Sequence, residues 1–172
     1  MNNLFIAIAF VAITLANTVS AQTSGSQPIQ PVITAYLGVK NALTQDNGTA
    51  VQNAAKILYD AIDKVPMEKL STSDHKVWMD NQEKLSYHAE HIKGTDELDH
   101  QREHFVQLSA YFYKIVKGMN ENSVDLYYQF CPMANDGKGA YWVSESETIS
   151  NPYFGKRMMK CGSTKETIPA YN

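Results

Sequence analysis

Between residues 31 and 119, apolar side chains recur at helical spacing in four successive stretches. Val32, Tyr36, Val39 and Leu43 follow at intervals of four, three and four, in a helix that opens near Pro31, where proline suits a first turn. Asp46-Asn47-Gly48 is a turn, and Thr49 can cap the next helix. There Val51, Ala54, Ala55, Leu58, Ala61, Ile62 and Val65 make one apolar face, until Pro66 ends it. Ser73 or Asp74 opens a third helix carrying Trp78, Leu85, Ala89 and Ile92, and Gly94 stops it. Thr95 can cap a fourth, although Leu98 three positions on leaves no capping box. In that helix Leu98, Phe105, Phe112 and Met119 lie seven apart, with Leu108 and Ile115 between them. Four helices with short connections predict a mainly α fold, an antiparallel four-helix bundle.

The pattern changes beyond the fourth helix. Residues 111–154 hold ten aromatic side chains. Val124–Phe130 and Ala140–Ser144 read as short strands, with a turn at Asn135-Asp136-Gly137-Lys138-Gly139 between them. Pro152–Met159 reads as a single helical turn that Gly162 ends. This aromatic-rich segment is too small to fold alone, so it is expected to pack on the helices and complete one domain over residues 31–172.

The N-terminus carries a different message. Residues 4–16 form a continuous apolar run, shorter than the ~20 residues a membrane helix needs. Val19-Ser20-Ala21 fits a small-x-small cleavage site, which predicts a signal peptide over 1–21 and a flexible lead over 22–30 rich in Gln, Ser, Thr, Gly and Pro. The first cation is Lys40, so only the terminal amine supplies positive charge to the leader. Export is expected, with no membrane span after cleavage; an uncleaved N-terminal membrane anchor is the alternative. The chain of 172 residues is 44% hydrophobic and 19% charged, which excludes a disordered protein. A net charge of −3 offers no footprint for nucleic acid.

Two groups of side chains carry candidate chemistry. Cys131-Pro132-Met133 and Met158-Met159-Lys160-Cys161 each pair a thiol with thioethers, soft donors that favour Cu(I) or Ag(I). In an oxidising compartment the same two cysteines can form a disulfide instead, and the methionines can be core filling. All five histidines fall in the third and fourth helices. His88 and His91 lie roughly 60° and 120° from Leu85 on the same side, and His104 roughly 100° from Phe105, so these imidazoles flank apolar stripes on neighbouring helices. His75, near a helix start, is given no role. His100-Gln101-Arg102-Glu103-His104 matches the inverted zinc-peptidase pattern H-x-x-E-H, but so short a pattern arises easily by chance in a His-rich helix. Asn47-Gly48-Thr49 is a glycosylation sequon read more simply as a turn. No G-x-S-x-G, phosphate-binding glycine loop or C-x-x-C is present.

Several segments together resemble a bacterial domain-of-unknown-function family: Tyr128-Gln129-Phe130-Cys131-Pro132-Met133-Ala134, Gly139-Ala140-Tyr141-Trp142-Val143-Ser144, Ile149-Ser150-Asn151-Pro152-Tyr153-Phe154-Gly155 and Met158-Met159-Lys160-Cys161-Gly162. Upstream, Gln101-Arg102, Phe105 and Leu108-Ser109 are also similar to that family. Its members are small exported proteins, or domains appended to the periplasmic adaptor (membrane-fusion) subunits of copper/silver-type heavy-metal efflux systems. The resemblance implies an envelope protein in metal handling. It places the Cys-Pro-Met and Met-x-x-Cys-Gly elements on Cys131, Met133, Met158 and Cys161, and makes Met159 an apolar position.

The sequence is therefore read as an exported Cu(I)-binding protein, not an enzyme, with silver or zinc as other candidate ions. The expected ligands are Cys131, Met133, Met158 and Cys161, completed by His91 or His104, with His88, His100 and Met159 less favoured. Asn151-Pro152-Tyr153 and Trp142 would wall the site. The alternative is an interaction domain in which a Cys131–Cys161 disulfide, worth about 3–4 kcal/mol for a loop of ~30 residues, holds a surface that docks an efflux adaptor or another envelope protein.

Overall fold

The structure is a computed structural model that describes residues 27–119 and 121–171. The apolar run over 4–16, the cleavage site after Ala21 and the lead as far as residue 26 lie outside the described residues.

Four α-helices come first: α1 Gln30–Thr44, α2 Gly48–Asp63, α3 Thr72–Lys93 and α4 Leu98–Met119. Helix α1 opens with Pro31 in its first turn and no side-chain cap, whereas α2 and α3 start at short polar side chains that take otherwise orphaned N–H groups. Asn47, rather than Thr49, caps α2 by accepting the Ala50 N–H at 3.0 Å. Ser71, two positions ahead of the expected start, caps α3 by accepting the Asp74 N–H at 3.1 Å. Thr95 takes the Glu97 N–H just ahead of α4. Gly94 ends α3 as its position predicts.

The apolar stripes form the core. Val32, Tyr36, Val39 and Leu43 of α1 are buried, as are Val51, Ala55, Leu58 and Ile62 of α2. They meet Trp78, Leu85, Ala89 and Ile92 of α3 and Phe105, Leu108, Phe112, Ile115 and Met119 of α4. Helix α1 packs on α2, α2 on α3, and α3 on α4. Among the described residues no helix is long and apolar enough to cross a membrane.

The chain then builds an antiparallel sheet of three strands, β1 Leu126–Cys131, β2 Ala140–Ser144 and β3 Ser163–Ile168, in the order β2-β1-β3. The second strand has its expected bounds, and the first is shifted toward Cys131. The third strand was not expected. Ser163-Thr164-Lys165-Glu166-Thr167-Ile168 buries only its last side chain, as suits an edge strand. The helical turn expected over 152–159 shrinks to a 3₁₀ turn at Gly155–Arg157, because Gly155 adopts a left-handed φ of 53°.

The sheet docks on α1 and α4. The Tyr36 hydroxyl bonds Ser109 of α4 at 2.8 Å and accepts the Val143 N–H of β2 at 3.1 Å. Tyr113 of α4 stacks on Tyr128 of β1 at 3.7 Å between ring centres and donates to Glu166 of β3 at 2.6 Å.

Candidate metal centre

Helices α3 and α4 bring four of the five histidines together. One ring nitrogen from each of His91, His100 and His104 can be chosen so that all three lie within 4.8 Å of one another. The pair on α4 is spaced i,i+4 and so shares a face, and His91 reaches it from the last turns of α3. The His91 and His104 rings lie nearly parallel with centres 4.3 Å apart, and His100 is 4.6 Å from His104. A fourth imidazole joins behind: His88 Nδ1 is 3.1 Å from His104 Nδ1. That contact engages one nitrogen of His104 and leaves Nε2 for an ion. A ring nitrogen held this way fixes the orientation of a ligand. Tyr87, half-exposed, covers His91 at 4.4 Å, and Tyr111 stacks near His88 at 6.1 Å.

Burial and neighbouring groups favour the neutral ring at His88 and His104. Burial, and then the neighbouring His104, His91 and Lys84, push the pKa of His88 down to about 4. Burial and then His91 and His100 lower His104 as well, with Glu103 opposing. Only neutral imidazole binds a metal, so the lowered value favours the ligating form of His104. The set is all nitrogen, a chemistry suited to copper, zinc or nickel rather than to magnesium or calcium. Glu103, the candidate base of the H-x-x-E-H pattern, is exposed and outside the triad. His75 is exposed in the first turn of α3, away from the others.

The sulfur residues gather elsewhere. Cys131 Sγ, fully buried at the end of β1, lies 2.9 Å from Cys161 Sγ, which is half-buried just ahead of β3. Met133 is exposed in the turn after β1, and Met158 and Met159 are half-buried in the turn before Cys161. The side of α4 that meets the sheet and its loops is marked by Arg102, Tyr113 and Lys117. These positions lie roughly 140–180° around the helix from His104. The structure thus joins Cys131 to Cys161 and His91 to His104, but puts the two groups on opposite sides of α4.

The family described as "Protein of unknown function (DUF3347)" matches residues 32–124. The chain belongs to this family. The matched segment holds almost all of the four helices and every histidine of the cluster, and ends before β1. Both cysteines and the aromatic motifs lie beyond it. No curated protein and no solved structure matches the chain.

The motif residues of the family resemblance prove to be latches. Arg102 donates to the Pro152 carbonyl at 3.0 Å and pairs with Asp46 at 2.5 Å, tying α4 to the α1–α2 turn and to the loop after β2. Gln101, buried, donates to the carbonyls of Gly48 and Thr95. Asn151 accepts the Tyr153 N–H and donates to the Cys161 carbonyl at 2.7 Å, and the Tyr153 hydroxyl donates to the Tyr141 carbonyl. Trp142 is fully buried 6.0 Å from Tyr153. A Cβ on Gly155 would strike Asp46 Oδ1 at 1.9 Å. Sequence reasoning missed Asp46 as a hub, since Asp-Asn-Gly reads only as a turn.

Proposed function

We propose that this protein is an exported metal-binding protein of the cell envelope, and that it holds one copper ion in the imidazole cluster between α3 and α4. The observation that carries this reading is the convergence of His91, His100 and His104 within 4.8 Å, backed by His88. Three neutral nitrogen donors fit Cu(I), and Cu(II) heads the divalent affinity order for such a site, with zinc as the competitor. The family resemblance supports a place beside a copper/silver efflux adaptor, with the helices packed as an antiparallel bundle. Binding, rather than catalysis, is the proposed role: the triad contains no carboxylate, and Glu103 is exposed and outside it. The short apolar leader supports export.

The test is a competition titration of the reduced protein with Cu(I), and separately with Zn²⁺, against a chromophoric chelator. We expect one ion per chain. His91→Ala or His104→Ala should weaken binding at least ~100-fold, beyond the 10–100-fold that loss of an outer-shell partner typically costs. His75→Ala should change nothing. Equal affinity in all three variants would reject the site.

A further inference from the structure

We propose that Cys131 and Cys161 are a reversible disulfide pair that staples the end of β1 to the start of β3, and are not ligands of the copper ion. Their sulfurs face each other at 2.9 Å, inside the contact distance of two non-bonded sulfur atoms, and both thiols are free. Closing to a bond of ~2.05 Å needs a shift below 1 Å, which side-chain rotation supplies. The backbone already holds the two positions side by side. Phe130 pairs with Ser163 in the β1–β3 ladder, and Asn151 fixes the Cys161 carbonyl. Gly162 stands between Cys161 and β3 at a φ of 138°, where a Cβ would come within 2.9 Å of the Phe130 carbonyl and Trp142. The glycine therefore allows the close approach of the Cys161 segment to β1.

The burial of the two sulfurs differs, and this sets an order of events. Cys161 is half-buried and can meet a reagent, whereas Cys131 is fully buried. The oxidant required is a disulfide-bearing thiol compound. The Cys161 thiolate attacks one of its sulfurs, a mixed disulfide forms, and one thiolate leaves with the proton that Cys161 lost. Cys131, deprotonated in turn, attacks Cys161 Sγ and expels the second thiolate. Two protein thiols are oxidised to one disulfide, and one external disulfide is reduced to two thiols. The hydrogen bond that the Cys161 thiol donates to Cys131, with burial, pushes the Cys161 pKa up, so exchange should quicken as the pH rises above neutral.

The proposal goes beyond the copper reading and is independent of it, because the histidine cluster lies on the other side of α4. The test equilibrates the purified protein with oxidised and then with reduced glutathione, and reads intact mass, thiol content and a non-reducing peptide map. The expected product is lighter by two hydrogens, has no free thiol and yields a Cys131–Cys161 cross-linked peptide that reduction reverses. The oxidised form should melt about 10 °C higher, the shift expected for closing a loop of this length. The half-buried site permits Cys161→Ser without a buried change, and that variant should show no such rise. His91→Ala should oxidise normally. A glutathione adduct that persists on Cys161, or two thiols still free after equilibration with excess oxidant, would overturn the proposal. So would loss of Cu(I) binding in Cys161→Ser with the histidines intact.

Discussion

Asp46 stands in the left-handed region at a φ of 57° and accepts from two directions, the Lys156 N–H at 2.9 Å and the Arg102 guanidinium at 2.5 Å. The Lys156 N–H first, and then Arg102, hold its carboxyl below the usual range against the opposing effect of burial. Because the folded value is depressed, the carboxylate contributes stability above its unfolded pKa of about 3.9 and loses it as the pH falls through the lower folded value. Asp46→Asn keeps an oxygen acceptor and tolerates the backbone conformation. It should cost about 2 kcal/mol at neutral pH and flatten the loss of stability below pH ~4. Denaturant melts at several pH values measure both effects. A second expectation concerns His88, whose contact with His104 Nδ1 positions a ligand without supplying one. His88→Phe keeps an aromatic ring beside Tyr111. It should lower copper affinity about 10-fold while leaving the helicity unchanged, measured by chelator competition beside circular dichroism. The angular positions of His88, His91 and His104 were legible in the sequence, since helix periodicity alone puts them at the edges of adjoining stripes. Asp46 was not, because both partners lie far along the chain.

At the level of elements, the helices follow from apolar spacing and the caps correct their starts. Asn47 and Ser71 displace the expected Thr49 and Ser73 or Asp74 because each side chain reaches the free N–H three residues on. Strand β3 was illegible for a physical reason: an edge strand over polar surface shows no alternation of buried apolar residues, and only Ile168 reaches the core. The docking of sheet on helices concentrates at Tyr36, which links α1, α4 and β2 through one hydroxyl. Burial pushes its pKa far above the ordinary phenol, so it serves as a neutral donor and acceptor. Tyr36→Phe keeps the ring stacked on Phe112 but orphans the Val143 N–H and Ser109. The expected loss is ~1–3 kcal/mol by urea denaturation, with the copper affinity of the α3–α4 cluster unchanged.

Over the whole molecule, α4 divides the chemistry. One side presents His100 and His104 to α3. The other carries Arg102, Tyr113 and Lys117 against the sheet and its loops, where Cys131 and Cys161 meet. Sequence spacing suggested that sulfur and imidazole donors would share an ion, since distance along the chain says nothing about which side of a helix a sheet will cover. The two groups instead make separate demands on the fold: the cluster is held by helix packing, and the cysteine pair by strand register. X-ray absorption at the copper edge of the reduced, Cu(I)-loaded protein tests the central claim most directly. A first shell of nitrogen with the outer-shell scattering of several imidazoles is the predicted result, and a first shell dominated by sulfur would contradict it.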